Sequence, residues 1–83
     1  MIKVGDFCGT EVVIEITSVA EDEIKAKVIS VDSFWSNPFR SKALFTVGLE
    51  LVFYKPTIYW IIKDQKDLPW FLLRDDGKFE HYR

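Results

Sequence analysis

The chain has 83 residues, 48% of them hydrophobic and 16% aromatic, which excludes a disordered polypeptide and fits one domain over residues 1–83 that buries only about 60–65% of its unfolded surface. Eleven Lys plus Arg against thirteen Asp plus Glu leave a net charge of −2, so no global field draws the molecule toward phosphate backbones or anionic lipid. The single cysteine, Cys8, excludes an intramolecular disulfide framework. Because "MIKVGDFCGTE" lacks an apolar leader segment, the cytoplasm is the expected compartment.

A short opening strand is expected at residues 2–4, turned by Gly5 and Asp6. The stretch "KVGD" followed by a hairpin is similar to the opening of SH3-like barrels, a resemblance that carries no functional residue with it. "EVVIEITS" (residues 11–18) and "EIKAKVIS" (residues 23–30) then alternate with period two and flank a polar turn, the pattern of a hairpin with one buried face. The register that keeps apolar residues together sets Ile14 against Val28, Ile16 against Ala26 and Ser18 against Ile24. On the other side Glu15 meets Lys27 and Thr17 meets Lys25. Val13 opposite Ile29 makes both faces apolar at the far end, as where a sheet curls into a barrel.

"DSFWSNPFRS" (residues 32–41) places Phe34, Trp35 and Phe39 around the turn pair Asn37 and Pro38. Each large aromatic covers about 150–250 Å². Exposing all three forgoes on the order of 10 kcal/mol at about 25 cal/mol per Å², comparable to the stability of a whole small domain. The loop is therefore expected to cap a barrel end with one or two rings inserted, leaving Trp35 outside beside Arg40 as an interface anchor. A short helix within residues 36–44 is the alternative.

"FTVGLELVFY" (residues 45–54) and "IYWIIK" (residues 58–63) form a second hairpin with Pro56 in its turn. The expected register opposes Leu51 with Ile62 and Phe53 with Trp60 on one face. Glu50 with Lys63, Val52 with Ile61, and Tyr54 with Tyr59 lie on the other. This hairpin is apolar on both sides, so Val52, Tyr54, Tyr59 and Ile61 are either covered by the first hairpin or form a contact patch. The third hairpin joins "WFLLR" (residues 70–74) to "KFEHYR" (residues 78–83) through "DDG", with Gly77 in the left-handed position. The whole reads as an all-β domain: a small curled antiparallel sheet or barrel of five to six strands, SH3-like or OB-like, with at most one short helix.

Chemistry-bearing constellations are sparse. The four glycines stand alone with no phosphate-loop spacing, and one Cys with one His is a poor zinc set. Asp75 with Asp76, and Glu21 with Asp22 and Glu23, fall in turns, where carboxylates stay solvated and lack the raised pKa of a general acid. The expectation is a non-catalytic binding protein with no cofactor and no metal. It docks on a protein partner as inhibitor or adaptor through Trp35, Phe39, Arg40, Tyr54 and Tyr59. A homodimer is compatible with this reading and a membrane is not. The alternative is a nucleic-acid-binding small β-barrel using Lys25, Lys27, Arg40, Lys42, Arg74, Lys78 and Arg83, a reading the net charge disfavours.

Overall fold

The computed structural model describes residues 2–36, 45–63 and 71–81, with the side chains of Trp35 and Ser36 outside the description. Seven antiparallel strands run as a meander: β1 (Phe7–Cys8), β2 (Val12–Val19), β3 (Glu23–Val31), β4 (Glu50–Tyr54), β5 (Trp60–Ile62), β6 (Phe71–Leu73) and β7 (Phe79–His81). The single sheet curls into a nearly closed barrel, all-β as expected but with more strands than the five to six read from the sequence. One helical turn, α1 (Ser33–Ser36), follows β3, where the Phe34 N–H donates to the Asp32 carboxylate at 2.7 Å, an N-cap. It reaches Ser36, the first residue of the window 36–44 in which a short helix was the alternative; residues 37–44 lie outside the described residues. No helix among the described residues is long and apolar enough to cross a membrane.

The opening strand lies later than residues 2–4. Lys3 N–H donates to the Asp6 carboxylate at 2.8 Å and Asp6 N–H donates to the Lys3 carbonyl at 3.1 Å, so "KVGD" closes on itself as a turn and the chain extends only from Phe7. In the first hairpin Ile14 pairs with Val28, Glu15 with Lys27 and Ile16 with Ala26, as expected. Beyond Ile16 a bulge inserts Thr17, so Ser18 pairs with Lys25 and Val19 with Ile24. A second irregularity sets Val13 against Ser30 rather than Ile29. Extra residues of this kind raise local twist and help a small sheet to close.

The second hairpin departs from its expected register by two residues, with Phe53 pairing with Ile62 and Tyr54 with Ile61. The slip leaves every side chain on its predicted face, because facing repeats with period two. The connection is correspondingly longer. Residues 55–59 lie outside the ladder, with Ile58 exposed, and the loop is held by Asp75 of the third hairpin. Lys55 Nζ donates to Asp75 Oδ2 at 2.7 Å, and the Trp60 indole N–H donates to Asp75 Oδ1 at 3.0 Å. The lysine also sits 5.6 Å from the Trp60 ring centroid. Asp75 is thus a tie between two hairpins rather than only a solvated turn residue.

These hydrogen bonds, from Lys55 first and Trp60 second, hold the Asp75 carboxyl below its ordinary value. A carboxylate with a depressed folded-state pKa stabilises above its unfolded value, and that stability is lost as pH falls through the folded value. Asp75→Asn is therefore expected to lower the thermal midpoint at neutral pH, with the difference from wild type shrinking to nothing in strong acid. Thermal melts followed by Trp fluorescence across an acid series check this. A pH-independent difference would contradict it.

The remaining pairings follow the meander: Trp60 with Leu73 and Ile61 with Leu72, then Leu72 with Glu80 and Leu73 with Phe79. The Asp75 to Gly77 turn closes with Gly77 N–H donating to the Arg74 carbonyl at 2.9 Å and Gly77 at φ +89°. The core gathers four phenylalanines. Phe79 stands 4.9 Å from Phe71, 5.7 Å from Phe53 and 6.3 Å from Phe45, ring centroid to ring centroid, with the latter two edge to face. Phe79 also packs against the β1–β2 corner at Gly9, where the barrel nearly closes.

Candidate contact surface

Alternation decides what the barrel shows to solvent. In β4, Leu51 and Phe53 are buried, which turns Glu50, Val52 and Tyr54 outward. In β5 and β6 the buried Trp60, Phe71 and Leu73 leave Ile61 and Leu72 outward and half-buried. Through the register Tyr54, Ile61, Leu72 and Glu80 form one row across four strands. Val52 and Lys63 lie one pleat repeat to one side of it, joined by the Lys63 N–H donating to the Val52 carbonyl at 2.7 Å. On the other side lie Tyr59 and Arg74, the guanidinium 5.7 Å from the ring centroid. Tyr59, Leu72, Arg74, Glu80 and His81 line an open groove along this edge.

The first hairpin does not lie over this face as a second layer; it continues the same sheet, β3 pairing with β4. The expected patch of Val52, Tyr54, Tyr59 and Ile61 is therefore gathered on one outer face, and Leu72 joins it. Tyr54 is 39% exposed. Leu72 was not singled out from the sequence. The signal was present: two inward neighbours, Phe71 and Leu73, force it outward once "WFLL" is read as a strand. The predicted loop residues Phe39 and Arg40 lie outside the described residues, as do Lys42 and Arg83, and the Trp35 side chain is likewise outside. Phe34, on α1, is 41% exposed.

The cations are partly compensated. Lys25 Nζ lies 3.8 Å from Glu23, and Lys27 stands between Glu15 and Glu50 across the ladder. Among the described residues Lys63, Arg74 and Glu80 form no ion pair. Cys8 is buried, and that burial, helped by the Asp6 carboxylate, pushes its thiol above the ordinary value. This suppresses the thiolate a nucleophile requires. No group of three or more His, Cys, Asp or Glu able to hold a metal ion occurs among the described residues. Comparison with protein-family models, curated proteins and solved structures finds no match to this chain.

Proposed function

We propose that this protein is a non-catalytic binding module of the cytoplasm that docks on a protein partner, as an inhibitor or adaptor, through the outer face of β4, β5 and β6. The observation that carries the reading is the row of Tyr54, Ile61 and Leu72 with Val52 and Tyr59 beside it: apolar side chains turned away from the core on three adjacent strands. An apolar centre with Tyr and Arg at its margin is the composition of an interface anchor region. Trp35, Phe39 and Arg40 remain proposed contacts of the same partner.

Affinity capture from the source cell with wild type, Tyr54→Ala and Leu72→Asp tests this. Both variants are expected to lose the captured partner while circular dichroism and thermal midpoint stay near wild type. Full capture by both folded variants would overturn the reading.

One observation favours a second reading. Lys63, Arg74 and Lys78, which form no ion pair among the described residues, stand exposed on the side of the sheet that carries Tyr54 and Tyr59, cations beside stacking rings. Retention on single-stranded DNA or RNA that falls steeply with salt would favour it. No retention at low salt would end it.

A further inference from the structure

We propose that Asp76 is a site of spontaneous backbone modification, where the Asp76–Gly77 link converts to isoaspartate through openings of the third hairpin turn. The reaction needs an aspartate whose side-chain carboxyl can be reached by the nitrogen of the next peptide. A Cβ on the following residue hinders that approach, and glycine has none. Every other aspartate of the chain is followed by a residue that carries a Cβ, and the single asparagine, Asn37, is followed by Pro38, which has no N–H to lose. Asp76 is exposed, and nothing stands within 4 Å of where a Cβ on Gly77 would lie. The Lys78 N–H donates to Asp76 Oδ1 at 3.1 Å, so the carboxyl is folded forward over Gly77.

The chemistry balances with water alone. The Gly77 nitrogen attacks Asp76 Cγ and a C–N bond forms. The nitrogen gives up its proton and the carboxyl its hydroxyl, one water leaves, and a five-membered succinimide closes. A second water then adds to one of the two imide carbonyls and breaks its C–N bond. Opening at Cγ restores aspartate. Opening at the main-chain carbonyl leaves the backbone running through Cβ and Cγ, an isoaspartyl link of unchanged composition with one more backbone atom.

The closed turn opposes the attack. Gly77 N–H donates to the Arg74 carbonyl at 2.9 Å, and Arg74 N–H donates to the Lys78 carbonyl at 2.8 Å. Until the first of these bonds breaks, the nitrogen can neither release its proton to solvent nor turn its lone pair toward Asp76 Cγ. The reaction therefore runs through local opening, and its rate follows the open population. The tie from Asp75 to Lys55 and Trp60 holds the same turn against the loop between β4 and β5, and so keeps that population small. The extra backbone atom of the product lies between Arg74 and Lys78, where it prevents both turn bonds from closing as they do now.

The test is prolonged warm incubation of the full chain at neutral pH, both native and in guanidinium chloride. Isoaspartate is located by peptide mapping with electron-transfer fragmentation, and circular dichroism checks that each variant starts folded. Native wild type is expected to convert at residue 76 about tenfold more slowly than the unfolded chain, the gap set by the opening equilibrium of the turn. Lys55→Met removes one bond of the tie and leaves residues 75–77 unchanged. It is expected to convert about two- to fivefold faster than native wild type, the effect of losing an exposed ion pair from the closed state. Asp76→Glu, whose ring would need six members, is expected to leave that position unconverted even when unfolded. The proposal is overturned by native wild type that forms no isoaspartate at residue 76 while the unfolded chain converts. Equal rates in the native and unfolded chains, or a Lys55→Met rate equal to wild type, would also overturn it.

Discussion

Gly9→Ala is expected to cost about 3 kcal/mol or more and to leave little folded protein, while Gly77→Ala, at nearly the same backbone angle, costs about 1 kcal/mol. Both glycines have positive φ, +98° and +89°. An L side chain pays a similar local penalty at each. The difference lies in what surrounds them. A Cβ on Gly9 would fall on the Val12 carbonyl oxygen and lie 3.3 Å from Phe79 Cδ2, whereas nothing stands within 4 Å at Gly77. Accommodating alanine at Gly9 requires the Gly9–Val12 corner itself to open, because the oxygen in the way belongs to that corner, while the Phe79 ring need give only slightly. Urea denaturation of the pair reads this directly. Equal midpoints for the two variants would show that the Gly9–Val12 corner opens at little cost.

Phe79→Ala is expected to destabilise by about 3–5 kcal/mol, the range for truncating a fully buried aromatic. Phe79 is 1% exposed and its ring contacts those of Phe45, Phe53 and Phe71. Truncation therefore removes three aromatic contacts and leaves a cavity that rigid neighbouring rings fill poorly. A small domain holds only about 5–15 kcal/mol in total. The variant should unfold at far lower urea than wild type with an unchanged denaturant slope. A loss below about 1 kcal/mol would mean that the phenylalanine cluster relaxes into the space and does not set the stability of the fold.

The contrast between well-read and misread elements has physical causes. Alternation over residues 11–18 and 23–30 fixed three pairs of the first hairpin because a one-residue error there would expose Ile14 and Ile16 together. The bulge at Thr17 was silent, since Thr17 and Ser18 are both polar and an extra residue between them exposes nothing apolar. The second hairpin slipped by two residues for a related reason: a two-residue shift preserves both faces, so burial cannot discriminate between the registers. Asp75, distant in sequence, ties the longer loop of the observed register to the third hairpin by accepting from Lys55 and Trp60. "DDG" was legible because the turn chemistry is local. At the contact surface, Tyr54 and Ile61 followed from alternation within β4 and β5. The alignment with Leu72, and the position of Arg74 beside Tyr59, depended on the β5–β6 register, which local sequence does not encode.

If the outer face of β4, β5 and β6 meets another protein chain, as proposed, a photoreactive group placed on it captures that chain. Photo-crosslinking tests it most directly, with a benzophenone side chain placed at Leu72 in one variant and at Ser30, an exposed position on β3, in another. Both are irradiated in source-cell extract. The account predicts a discrete crosslinked protein adduct from position 72 and none from position 30. An adduct from position 30 with none from position 72 would contradict it.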